Sequence, residues 1–196
     1  QIMVNSFSTT LNAHLEKQLS ADIYLRSDKF DQSLRKTLNN LPEVEQLSIY
    51  MKSEGMVNKV PAKLSSFGNS FEHYQQISLT SGLAITDKNF TDKGCLANEQ
   101  SKIKFGFSLG DVAVFEQNLM HFNCRITGFF YDYGNPSMSL LTLENRQKIA
   151  VLNTEYVGYS IHLTNNVSIA KFSERLVNDF KQDSTHILPN KRFKEI

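Results

Sequence analysis

An α+β fold, a split βαβ sandwich of the ferredoxin type with an inserted β-rich subdomain, is what this chain of 196 residues predicts. Three observations carry the prediction. A strand, helix, strand pattern near the N-terminus recurs near the C-terminus, the two lie about a hundred residues apart, and the stretch between them changes to short strands and turn residues. The expected division is a sandwich over 1–67 and 155–196, with an insertion over 68–154.

Met3, Phe7, Leu11, Leu15 and Leu19 recur at a spacing of four without Gly or Pro, so residues 2–19 read as one amphipathic helix. Ala21 to Arg26 reads as a strand with Ile23 and Leu25 on one face. Ser27 or Asp28 is expected to cap the next helix, whose stripe of Phe30, Leu34, Leu38 and Leu41 ends at Pro42. Val44 to Met51 follows as a strand. In the C-terminal unit, Tyr156 to Leu163 is a strand, Asn165-Asn166 a turn, and Ile169, Phe172, Leu176 and Phe180 the apolar face of a helix. Thr185 to Leu188 closes it. Inside the insertion, strands are expected at Gln75 to Leu79, Gly94 to Ala97, Asp111 to Phe115, Phe122 to Tyr131 and Ser139 to Leu143, with a short helix over Glu99 to Phe105.

Composition is that of an ordinary globular chain, 40% hydrophobic and 21% charged, and argues against disorder. A net charge of +1 removes the general electrostatic case for nucleic acid. No apolar run approaches the ~20 residues of a membrane helix, and Gln1 to Val4 does not open a signal peptide. The start at Gln1 and the basic end Lys191-Arg192-Phe193-Lys194 both read as cuts from something longer. Cys95 and Cys124 fit either one disulfide or two buried thiols acting as small hydrophobes, and the second is the simpler expectation.

Catalytic and cofactor patterns are missing. The five histidines are scattered with no i, i+4 pair, and His121, Cys124 and Cys95 would need a local bend to share a metal. There is no Walker-type or GxGxxG turn to cradle phosphate and no GxSxG elbow for a nucleophile. Asp132 is expected to accept hydrogen bonds in a turn, since no partner acid or base lies near it in sequence. No cofactor, metal or catalytic residue is therefore assigned, and the chain reads as a non-enzyme.

One segment is more specific. Phe129 to Pro136, Phe-Phe-Tyr-Asp-Tyr-Gly-Asn-Pro, runs an aromatic strand into a Gly-Asn-Pro turn, after Asn98-Glu99-Gln100 and Leu109-Gly110-Asp111. In this order the motifs resemble the extracytoplasmic domain of ABC transporter permeases of the FtsX/MacB type. The resemblance spans most of the chain, from Met3-Val4-Asn5-Ser6-Phe7 to Phe193-Lys194-Glu195-Ile196. It implies a porter-like part carrying a β-rich insertion, held between flanking transmembrane helices on the periplasmic side of the bacterial inner membrane. The implied partners are a cytoplasmic ABC ATPase subunit and a periplasmic protein or lipid-like substrate, with dimerisation in the full transporter and ATP hydrolysis in the separate subunit.

On this reading Met3, Phe7, Leu11, Arg192 and Phe193 form the stalk, and Tyr131, Asp132, Tyr133, Gly134, Asn135 and Pro136 are the partner contact. Alternation along the strand sends Phe129, Tyr131 and Tyr133 to one face, giving an aromatic cluster half in the core and half displayed. The competing reading is a free-standing periplasmic ligand-binding domain with an apolar pocket around Phe129 and Phe130.

Overall fold

A 14-residue strand, Val44–Val57, is the spine of the molecule and is far longer than the five or so residues typical of a strand. The computed structural model describes residues 21–68, 74, 75, 77–83, 85, 93–132, 135–144 and 156–190. The helix expected over 2–19, the stalk residues, Tyr133 and Gly134 lie outside them. The described strands, in chain order, are β1 (Ile23–Ser27), β2 (Val44–Val57), β3 (Val60–Ser66), β4 (Leu79–Gly82), β5 (Gly94–Asn98), β6 (Val112–Gln117), β7 (Met120–Phe130), β8 (Met138–Leu141), β9 (Tyr156–Leu163) and β10 (Ile187–Pro189). The helices are α1 (Gln32–Asn40), α2 (Glu99–Ile103) and α3 (Ile169–Asn178). It is a mixed α+β fold with few helices.

The first half of β2 belongs to an antiparallel run in the order β10-β1-β9-β2. Leu34 and Leu38 of α1 and Phe172 and Leu176 of α3 are the buried positions of two amphipathic helices, and they pack on Ile23, Leu25, Ile49, Met51, Tyr159 and Ile161. The Asp31 carboxylate caps α1 by accepting the Leu34 N–H at 3.0 Å, and Ser168 caps α3 by accepting from Lys171 at 3.2 Å. The cap is thus three residues later than Asp28. Ser27 instead ends β1, and its hydroxyl closes a local turn with the Lys29 backbone.

The second half of β2 enters a different structure. β2 pairs antiparallel with β3, β3 parallel with β8, β8 antiparallel with β5, β5 parallel with β7, and β7 antiparallel with β6. β6 then returns to β2 with Met56 opposite Glu116 and Val57 opposite Phe115, so six strands close into a small barrel. Its interior is filled by inward positions from every wall, among them Val57, Leu64, Cys95, Phe115, Phe122, Cys124, Ile126, Phe129 and Leu140. Closure depends on Gly55, where an added Cβ would meet the Glu116 carbonyl oxygen at 2.4 Å and the Phe115 ring at 2.6 Å. The Asn58-Lys59 turn, with φ of 53° and 64°, supplies the left-handed pair that a tight β2–β3 hairpin requires.

Cys95 and Cys124 are joined by a disulfide between neighbouring walls, both buried. This replaces the expectation of two free thiols. The sequence pattern also missed β3, because Val60-Pro61-Ala62-Lys63 lacks clean alternation and a Pro argues against a strand. Pro61 sits opposite Met56 near the hairpin end. The strand expected at Gln75 begins instead at Leu79, and Gln75 lies in a turn where its side-chain amide donates to the Ile85 carbonyl at 2.8 Å.

Candidate functional site

Two of the three motifs of the middle region meet where β5 ends and the chain enters β8, and the third leads into β6. Asn98 closes β5 and is fully buried; its side chain donates to the Ser137 carbonyl at 2.9 Å and accepts from the Ser139 N–H at 3.1 Å and the Ser101 hydroxyl at 2.7 Å. These bonds fix the return of the chain into β8. Before that return, the Asn135 side-chain amide donates to the Asp132 carboxylate at 2.7 Å, and its backbone N–H donates to the Asp132 carbonyl at 3.3 Å. The Asn135 side-chain oxygen accepts the Ser137 N–H at 3.0 Å. Asp132 is a turn-former, with its carboxylate engaged by an amide.

Tyr131 is 40% exposed and Pro136 is exposed, so the described part of the turn presents side chains to solvent on a hydrogen-bonded frame. Phe129 and Phe130 do not. A register slip between β5 and β7 at Cys95/Leu96 shifts the alternation, so that Phe129 points into the barrel while Phe130 packs outside it. Outside, Phe130 joins Leu96, Leu141, Phe67 and Tyr74. Both rings are buried, on opposite sides of β7 and in two separate cores, while Tyr131 is the displayed member of the aromatic run among the described residues.

Leu109-Gly110-Asp111 is also structural. Gly110 adopts a φ of +88°, its N–H donates to the Ile126 carbonyl at 2.8 Å, and the Asp111 carboxylate accepts the Ser108 N–H at 2.8 Å. Glu99 accepts the Thr80 hydroxyl, tying α2 to β4. The disulfide takes both cysteines out of any metal set with His121, which faces Glu116 at 3.5 Å. Among the described residues no group of three or more His, Cys, Asp or Glu converges.

Two further features had no signal in the sequence. Arg35 of α1 pairs with Glu144, a fully buried carboxylate just beyond β8, linking the helix layer to the chain that leaves the barrel. Burial lowers the Arg35 pKa from its ordinary value, and Tyr159 opposes that shift. The Tyr74 hydroxyl donates to the Thr142 and Gly68 carbonyls at 2.6 and 3.0 Å and accepts the Phe67 N–H at 2.9 Å; burial pushes its pKa well up. Only a fold that brings positions 35 and 144, or 74 and 142, together could reveal either.

The described chain begins and ends at one place. The Asn190 side-chain amide donates to the Ala21 carbonyl at 3.1 Å, its N–H donates to the Asp22 carbonyl at 2.8 Å, and Ile23 pairs with Pro189 across β1 and β10. No described helix is long and apolar enough to cross a membrane.

No family model and no curated protein matches this sequence. Solved structures do. The periplasmic region of MacB from Actinobacillus actinomycetemcomitans is 15% identical with a TM-score of 0.53, covering 93% of this chain and 96% of that one. The extracellular domain of the ABC-type transporter YknZ from Gram-positive bacteria is 11% identical with a TM-score of 0.55, covering 86% and 98%. The chain has the fold of the FtsX/MacB-like periplasmic domain, as its motifs led one to expect.

Proposed function

We propose that this chain is the extracytoplasmic domain of an ABC transporter permease subunit, strung between two membrane helices and working with a separate cytoplasmic ATPase. The observation that carries the reading is the tie between Asn190 and Ala21-Asp22, which lets both flanking segments leave the domain side by side. The shared fold and a disulfide suited to an oxidising compartment support it.

On this reading the domain is non-catalytic. The porter-like subdomain is built from β1, α1, the first half of β2, β9, α3 and β10, with β9 between the parallel β1 and β2, the arrangement of a split βαβ unit. The inserted part expected over 68–154 is extended to take in the second half of β2 and β3, which are walls of the barrel. ATP-driven closure of the cytoplasmic subunits moves the stalks, represented by Met3, Phe7, Leu11, Arg192 and Phe193. β2, which runs from the helix-covered strands into the barrel, carries the displacement to the barrel, where Tyr131 to Pro136 meets the partner.

The compartment is tested in the full-length permease by a Ser108→Cys variant in cells with an intact inner membrane. A membrane-impermeant maleimide is expected to label it; labelling only after the inner membrane is opened contradicts the reading. The contact surface is tested by Tyr133→Ala with Asn135→Ala, expected to reduce transport and partner crosslinking. Unchanged transport and crosslinking would remove that assignment.

A further inference from the structure

α2 and the loop after it cross from β5 to β6 with Phe105 and Phe107 packed against the barrel interior, and they turn an unusual set of side chains outward. Ile103 is 73% exposed, and Leu109 and Val112 are each 46% exposed. Interleaved with them in sequence are the exposed cations Lys102, whose ammonium lies 5.9 Å from the centre of the Phe129 ring, and Lys104, which donates to the Pro136 carbonyl at 3.5 Å. The exposed Arg125 lies beside Val112 and Gly110, with the exposed Lys93 next to it. Arg125 lies opposite Val112 in the ladder, donates from its guanidinium to the Gly110 carbonyl at 3.1 Å, and donates its backbone N–H to the Lys93 carbonyl at 2.7 Å. The acids of the segment are engaged in the fold: Glu99 accepts from Thr80, and Asp111 accepts the Ser108 N–H.

We propose that this surface binds an anionic lipid, with Ile103, Leu109 and Val112 against the acyl chain and Lys102, Lys104 and Arg125 around the headgroup. The inference stands on these residues and does not depend on the permease reading. Branched aliphatics ringed by Lys and Arg are the composition of a lipid-facing surface. A protein interface would centre on displayed aromatic anchors, and the aromatic residues between Lys102 and Val112, Phe105 and Phe107, are packed against the barrel core. The frame is preorganised by α2, by Gly110 in its left-handed conformation and by the barrel beneath, so binding orders little new chain.

The test uses the isolated chain with two vesicle probes, phosphatidylcholine alone and phosphatidylcholine with phosphatidylglycerol, read by cosedimentation and by backbone amide NMR shifts. Binding is expected only to the anionic vesicles, with shifts confined to Lys102 to Val112 and Arg125, and is expected to fade at high salt. Lys102→Gln with Lys104→Gln should weaken it roughly twenty-fivefold, from about fivefold per cation removed near a charged surface. Ile103→Asn with Leu109→Asn should weaken it by about tenfold or more. All four positions are exposed, so an unchanged amide spectrum elsewhere confirms the fold of each variant. Equal partitioning to both vesicles, shifts outside this segment, or tight binding of an acidic peptide with no vesicle binding would each overturn the proposal.

Discussion

The two halves of this molecule solve one packing problem in different ways. The sheet β10-β1-β9-β2 buries its inner face under α1 and α3, so its stability rests on helix positions such as Leu34, Leu38, Phe172 and Leu176. The barrel lines its core chiefly with its own strands, with Phe105 and Phe107 after α2 packed against that core. It buries apolar surface by closing on itself, and three local devices permit that closure: Gly55 at the β2–β6 contact, the Cys95–Cys124 bond and the register slip that aims Phe129 inward. A helix-backed sheet is held by many interchangeable apolar contacts, whereas a small barrel depends on a few positions that cannot be exchanged.

The difference can be broken from either side. Phe172→Ala removes a fully buried ring from the helix layer and should cost about 3–5 kcal/mol in chemical denaturation. Amide exchange should rise first in β1, β9 and β10. Removing the disulfide with Cys95→Ala and Cys124→Ala opens a loop with a sequence separation of 29 and should cost about 3–4 kcal/mol. Exchange should then rise first in β5, β6 and β7. Equal loosening of both halves by either variant would show that the two cores unfold as one unit.

Gly55→Ala tests closure itself, and overpacking at the contact with Glu116 and Phe115 should cost about 1–3 kcal/mol, with exchange raised at Val57 and Phe115. An unchanged midpoint would show that the β2–β6 contact does not hold the barrel shut. Tyr74→Phe leaves the Thr142 and Gly68 carbonyls and the Phe67 N–H without their hydroxyl partner and should cost about 1–2 kcal/mol. Burial raises the Tyr74 pKa in the folded state, so its stabilisation is complete below the unfolded value of about 10 and is lost as pH rises beyond it. A stability profile above pH 10 should therefore fall less steeply in Tyr74→Phe than in the parent.

How far the sequence disclosed this structure follows the same divide. Leu34 and Leu38, and Phe172 and Leu176, repeat every fourth residue and mark two helices without any knowledge of the fold, because each helix carries its own period. Alternation located most barrel strands but not their closure, since pairing β6 with β2 joins residues about sixty positions apart and leaves no local mark. Pro61 hid β3, and the slip at Cys95/Leu96, which accompanies the placing of Phe129 and Phe130 in two different cores, leaves no local mark in the sequence. At the candidate site, the sequence picked out Asn98, Gly110, Asp111 and the Asp132 to Pro136 turn as special. Asn98, Asp132 and Asn135 hold the chain where it enters β8, and Gly110 and Asp111 hold the turn into β6. Arg35–Glu144 was out of reach, because neither residue stands out from other surface-type charges until the halves are assembled.

The central claim is that both flanking segments leave the domain together, as two membrane helices of one permease would require. Nitroxides at Gln18 and Phe193, each a few residues beyond the Ala21–Asn190 contact, measure it by electron paramagnetic resonance on the folded chain. A single short separation, near the roughly 10 Å of packed helices widened by the label arms, is the predicted result. A long separation, with the two labels on different faces of the domain, would contradict it.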